Sequence, residues 1–194
     1  MNLLHHPIPV LALGGSHEVL HEWNLTAGEV AWSAALVLFF VLLNAFFVAA
    51  EFAIVKVRGT QLDALADEGN RAAVTARAEI KNLDGYLSAT QLGITIASIA
   101  LGMIGEPYLA RIIQPLMWKL GITSDTVISS VSIGIGFGFI TYLHVILGEL
   151  MPKSLAIRKA LPTTLAISRP LHFFYIVFKP AIWVLNGTAN WLLK

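Results

Sequence analysis

The chain has no cysteine and little charge. Of its 194 residues none is Cys, and Asp, Glu, Lys and Arg together supply 13%, against roughly 25% in an ordinary soluble domain. The first absence excludes a disulfide framework, a thiolate metal site and a cysteine nucleophile. The second leaves too little polar surface to solvate a globule of this size. Lys and Arg are missing altogether before Lys56, and the formal net charge is only +1. The Lys and Arg residues that do occur lie in short blocks between apolar runs, so no basic face for nucleic acid is expected.

What fills the chain is apolar: hydrophobic residues make up 56% and the mean hydropathy is +0.71. A helix needs about 20 mostly apolar residues to cross a hydrocarbon core. Residues 30–55, 86–104 and 126–149 qualify, carrying only Glu51 in the first, no charge in the second, and His144 and the terminal Glu149 in the third. A fourth stretch, 171–193, is interrupted by Lys179-Pro180 and preceded by Arg169-Pro170, which predicts interfacial helices instead of a further span. The fold class expected is an all-α membrane protein of three transmembrane helices plus amphipathic juxtamembrane helices on the cytoplasmic side. Its divisions would be an extracytoplasmic tail (1–29), a transmembrane core (30–162) and juxtamembrane or interfacial helices (163–194).

Positive charge sets the orientation. Lys56, Arg58, Arg71, Arg77 and Lys81 follow the first span, and Lys153, Arg158 and Lys159 follow the third. Both blocks belong in the cytoplasm, with the N-terminus outside and residues 105–125 forming an external loop. Within 57–85, Leu62, Leu65, Ala66, Ala73, Ala76 and Ile80 recur near helical spacing among charged residues. This predicts amphipathic helices on the inner membrane face, broken at Gly69-Asn70; the plainer alternative is a soluble helical hairpin packed on a further domain.

An ionisable group at membrane depth is costly and by default points to ion or proton handling. Glu149 sits three residues before Pro152, which has no N–H to give to the carbonyl of Gly148; that carbonyl is a further candidate ligand and Pro152 a candidate hinge. In the first span Asn44, Val48 and Glu51 stand at i, i+4 and i+7, and in the second Gln91, Thr95 and Ser98 repeat that spacing, so each set shares one helix face. A cage of carboxylate, amide, hydroxyl and carbonyl oxygens suits a hard cation such as Mg2+ or Na+, not zinc or copper. Each group also has a plainer reading. Gln91, Thr95, Ser98 and Asn44 could be interhelical hydrogen-bond glue, Glu149 could pair with Lys153 at the interface, and Glu51 could be structural, with Lys56 and Arg58 close behind. Ser130, Gly134 and Gly138 form a small-residue ridge suited to close helix approach.

Several other spellings carry less. His17-Glu18-Val19-Leu20-His21 matches a zinc-protease pattern, yet a short Pro- and Gly-containing tail offers it no scaffold. Gly134-Ile135-Gly136-Phe137-Gly138 lacks the setting of a phosphate loop. His144 lies about 140° around an α-helix from Glu149, which assigns it to core or dimer contact instead of ligation. Trp118, Trp183 and Trp191 fit interfacial belts. No nucleophile and base pair up within the spans, so no enzyme is expected.

Three segments together resemble the transmembrane domain of the CNNM/CorC family of Mg2+ transporters: Asn44-Ala-Phe-Phe-Val-Ala-Ala-Glu51 through Arg58, Tyr86-Leu-Ser-Ala-Thr-Gln-Leu-Gly-Ile-Thr95 through Gly102, and Gly148-Glu149-Leu-Met-Pro152-Lys153. The resemblance covers roughly residues 30 to 190. It implies a homodimeric, multi-pass inner-membrane protein that exports Mg2+, coupled to Na+ entry. In that family a polar residue on each of the first two spans and the glutamate of the third hold the ion; these become Asn44, Thr95 together with Ser98, and Glu149. Val48 stands where many relatives have serine, and Ile94-Thr95 where CorC-like members carry an Asn pair. Relatives continue into cytoplasmic CBS modules that bind ATP, so ATP would act only through a region beyond Lys194. The alternative is a non-transporting membrane Mg2+ sensor or anchor for such modules.

Overall fold

The computed structural model describes residues 27–122 and 124–192, all but the turns and caps of them helical and none in a strand. Helix α1 (Ala27–Lys56) is followed by the short α2 (Gly59–Asp67) and α3 (Arg71–Lys81), then by α4 (Leu83–Lys119) and α5 (Asp125–Leu143). A π-helical segment, His144–Leu150, joins α5 directly to α6 (Met151–Arg158), and α7 (Ala160–Leu192) completes the chain. Three stretches are long and apolar enough to cross a membrane: Gly28–Lys56, Leu83–Gly105 and Thr126–Arg158. The His17–His21 spelling lies outside the described residues.

Helix boundaries follow local chemistry. The break between α2 and α3 falls at Gly69, whose φ of +88° suits a residue without Cβ, and the Asn70 side chain caps α3 by accepting from the N–H groups of Ala72 and Ala73. Arg77 reaches back to Asp67 at 3.3 Å and tethers the two short helices. Elsewhere the helices outrun the expectations. Residues 105–119, expected in a loop, continue α4 through Pro107 and Pro115, and the helix gives way to a turn at Gly121 (φ +83°). Pro170 and Pro180 lie inside α7 without ending it, so one helix of 33 residues replaces the interrupted interfacial pieces. α7 packs along α1, α3 and α4, and tertiary contacts of that extent sustain a helix across a local breaker.

Two apolar clusters hold the spans together. One joins Val37, Val41, Leu101 and Ile140; the other gathers Phe47, Ala50, Ile54, Tyr86, Ala156, Ile167 and Leu171 around the base of the bundle. A third, smaller cluster seats α2 and α3 through Leu62, Ala66, Ala73 and Ala76. Polar clips pin α7 to the rest. Ser168 donates to the carbonyl of Ala72, Asn82 to the Tyr175 hydroxyl, and Ser88 to Asn186, while Tyr86 meets His172 through its hydroxyl. Outside these contacts the spans present an apolar coat, including Trp32, Phe39, Met103, Phe137 and Tyr142, the surface a lipid solvent requires.

The α1–α4 contact depends on one glycine. A Cβ at Gly93 would sit 2.5 Å from the ring of Phe47, which is itself buried and packed against Phe174. Gly93→Ala should therefore force the helices apart and cost about 1–3 kcal/mol, seen as a lower unfolding temperature in detergent. Gly102→Ala, where nothing lies within 4 Å of the new atom, serves as the control and should hold that temperature or raise it, as alanine favours a helix over glycine.

Glu79 on α3 is buried completely, and neither carboxylate oxygen has a hydrogen-bond partner. Burial pushes its pKa up to about 8 from an ordinary 4.5, so at neutral pH the folded chain keeps a proton that the unfolded chain has released. Stability from this group is complete below pH 4.5, declines as pH rises, and is lost once pH passes about 8. Glu79→Gln mimics the neutral acid and should flatten that decline. Unfolding temperatures followed by tryptophan fluorescence between pH 6 and pH 9 on the order of the same window read it directly; an unaltered slope would refute the buried acid as its source.

Candidate cation site

The site is built where the third span changes its helical repeat. Pro152 is buried in the first turn of α6 and has no N–H for the carbonyl of Gly148. The chain accommodates it with the π-helical turns of His144–Leu150, in which the N–H of Met151 bonds the carbonyl of Ile146, five residues back. That wider repeat has a consequence for side chains. Residues five apart, splayed in an α-helix, come close to the same face, and His144 Nε2 lies 3.9 Å from Glu149 Oε1. The sequence expectation that separated these two by about 140° assumed an unbroken α-helix, and the structure corrects it.

Asn44 of α1 is the centre of the arrangement. It is fully buried and lies on the face between Val41 of one apolar cluster and Phe47 of the other. Its Nδ2 donates to the Gly148 carbonyl at 3.1 Å, so the oxygen that Pro152 frees is engaged by the first span. Its Oδ1 accepts from Ser98 Oγ of α4 at 3.2 Å, and Ser98 Oγ in turn lies 3.4 Å from His144 Nε2. One chain of polar atoms thus runs from Gly148 through Asn44, Ser98 and His144 to Glu149, linking all three candidate spans. Gly148 makes room for it: a Cβ there would fall 2.8 Å from the His144 ring and 3.1 Å from Asn44 Nδ2.

Burial grades along this chain. Asn44 and Gly148 are enclosed, Ser98 and His144 partly so, and the Glu149 side chain is 48% exposed. Beside Ser98 and His144 a cavity of about 240 Å3 opens between α4 and α5, lined also by Gly102, Thr141 and apolar neighbours. Among the described residues no three His, Asp or Glu side chains converge as metal ligands. Any ion held here would meet one carboxylate and otherwise neutral donors.

Other candidates lie apart from it. Thr95 is exposed and its hydroxyl bonds back to the carbonyl of Gln91 in its own helix at 2.8 Å. Gln91 is exposed, and Glu51 is half-buried near the base of α1; neither joins the Asn44 network. Lys153 does not take Glu149 as an ion-pair partner but lies over the ring of Phe52, 4.6 Å from its centre. Gly134 and Gly138 have no atom of this chain within 4 Å of a built Cβ, so their ridge faces away from the bundle. The residue that sequence reasoning missed is His144. A proline inside a long apolar helix that continues beyond it is the signal, because such a helix must kink or adopt a π turn, and either resets which residues share a face.

Three apolar helices joined by a chain of polar contacts define a multi-pass membrane protein. The chain belongs to the CNNM family: it matches the cyclin M transmembrane N-terminal domain over residues 35–194. It is similar to the UPF0053 proteins YhdT, YugS and YhdP of Bacillus subtilis, at 52%, 45% and 43% identity over 78%, 82% and 82% of this chain. The matched segments make up 33%, 37% and 36% of those proteins, so the chain spans about a third of the length of the relatives it matches.

Proposed function

We propose that the chain is the membrane-embedded part of a Mg2+ transporter, exporting the ion through the pocket between its spans with Na+ entry as the coupled flux. The carrying observation is the Asn44–Ser98–His144–Glu149 chain, which strings polar groups from all three candidate spans along one path through an otherwise apolar bundle. Burying such groups without a purpose is unfavourable by about 1–3 kcal/mol each where satisfaction is incomplete. Mg2+ accepts a few protein oxygens and keeps waters to complete its octahedron. A single carboxylate then suits a site that must release its ion as well as bind it.

Sidedness follows from charge. With the basic blocks at 56–81 and 153–169 placed in the cytoplasm, Glu149 lies toward the inner end of the third span and the cavity beside Ser98 leads toward the outside. The exposed Gly134–Gly138 ridge on α5 is the surface on which a second copy would pack. Transport is the tested quantity: the protein in liposomes loaded with a Mg2+-sensitive dye should pass Mg2+ and respond to an imposed Na+ gradient. Because the matched segment makes up only about a third of the relatives, a sensor or anchor for further modules is the rival reading. Mg2+ binding by the reconstituted protein with no flux in either gradient would establish that rival and refute transport.

A further inference from the structure

Ile140 on α5 stands between two cavities of different character. On one side lies the polar cavity beside Ser98 and His144; on the other is a groove of about 210 Å3 set between α1, α5 and the part of α4 beyond Gly105. Val37 and Val41 are buried at its back, Leu143 and Leu147 lie half-buried along it, and Leu38 and Phe139 stand exposed at its mouth. Among its lining residues only Tyr108 has a polar side-chain atom. We propose that this groove seats one acyl chain of a phospholipid, from the leaflet remote from the basic residues of 56–81. Such a site is independent of any ion passing on the other side of Ile140.

The lining excludes water. A buried water needs several polar partners, whereas the backbone groups here are spent within helices. Apolar cavities of about 150 Å3 stay dry and accept apolar guests, and this one opens sideways onto lipid. The groove also has the shape of a chain: from Ala34 to Val41 it runs about 10 Å along α1. Its depth follows from the aromatics. Trp32, 67% exposed, lies about half a turn beyond Ala34, and tryptophan favours the headgroup level. The Ala34 end therefore lies nearest the headgroups and the Val41–Leu147 end points toward the bilayer centre, as an acyl chain does. Leu38 and Phe139 at the mouth continue the exposed apolar coat of Phe39, Leu42 and Ile135, so the groove is an inlet of the lipid-facing surface. A second copy packed on the Gly134–Gly138 ridge leaves it open, because those glycines lie about 140–180° around α5 from Leu143.

A chain seated there braces the third span where its helical repeat changes. Leu143 ends α5 and Leu147 belongs to the π-helical segment. Ile140 fits against Gly105 so closely that a Cβ on the glycine would fall 2.9 Å from it. Lipid tails are as apolar as the groove, so the gain is packing contact and not release from water. Filling the groove restores contacts that an empty one forfeits and holds Ile140 from the lipid side. Packing of this kind imposes one chain orientation along the groove, which the lipid around the open coat does not share.

The probe is phosphatidylcholine with a photoactivatable diazirine on one acyl chain, either near the headgroup or at the methyl end, mixed in trace amount into phosphatidylcholine vesicles holding the reconstituted protein. Adducts formed on illumination are mapped by mass spectrometry. The methyl-end probe should label Leu147 and Val41, the latter only 2% exposed and so out of reach of lipid that merely surrounds the bundle. The headgroup-end probe should label Ala34 or Tyr108, and the open coat at Phe39 and Ile135 is the reference for bulk lipid. Leu143→Phe, which narrows the groove at a half-buried position, should abolish the Val41 and Leu147 adducts and leave those on Phe39 and Ile135. Ala34→Phe, at an exposed position, should do the same from the headgroup end. Adducts on Phe39 and Ile135 with none on Val41 and Leu147 overturn the proposal. So does groove labelling that both variants leave unchanged, or that both probes give alike. Labelling of Val41 that emerges only when the protein is diluted to single copies per vesicle assigns the groove to a second copy and overturns it too.

Discussion

Asn44→Leu should reduce Mg2+ flux in liposomes to the background of empty vesicles and lower the unfolding temperature at the same time. Leucine shares the branched outline of asparagine and is bulkier, so the α1 face between Val41 and Phe47 stays filled. What goes is the only side-chain donor to the Gly148 carbonyl among the described residues and the acceptor for Ser98. Proline at 152 cannot supply the missing bond. A buried carbonyl left without a partner costs about 1–3 kcal/mol, and the π-helical turns that present His144 and Glu149 lose their anchor to the first span. Wild-type flux in this variant would show that the network is packing glue and that the ion travels elsewhere.

Glu149→Gln should produce the opposite separation of effects. Its side chain is half exposed and touches the network only through His144, so the fold does not depend on it and the unfolding temperature should hold within about 1–2 °C, the shift expected of a surface substitution. Flux should fall to background, because the pocket loses its one negative charge and a divalent ion then faces neutral donors alone. Glu51→Gln is the informative comparison. Glu51 lies outside the Asn44 network, so its loss should leave most of the flux intact. Equal flux in wild type and Glu149→Gln would remove the carboxylate from the transport path and with it the transporter reading.

Much of the architecture is legible from composition alone. A chain with 13% charged residues has to put helices in lipid, and the three longest apolar runs became the three candidate spans. Gly69-Asn70 announced the break between α2 and α3 because a positive φ and an Asn cap are local properties. Asn44, Ser98, Gly148 and Glu149 could each be singled out since polar atoms in an apolar run are conspicuous. Thr95 and Gln91 were equally conspicuous and lie outside the network: helical spacing shows which residues share a face, not which face turns inward. Thr95 satisfies its hydroxyl within its own helix, an option open to any Ser or Thr in a helix, whose hydroxyl can share the carbonyl four residues earlier.

His144 marks the boundary between the two kinds of information. The sequence by itself determined that the chain is helical, lipid-facing and interrupted by a proline beside an acid, because those follow from residue type and spacing. Only the tertiary structure decided that the interruption is a π-helical segment braced by Asn44, that an imidazole consequently stands beside the carboxylate, and that α7 continues through two prolines. Such outcomes depend on contacts between residues tens of positions apart, as in the bond from Asn44 to Gly148, and a repeat of 3.6 residues read along one segment contains no record of them.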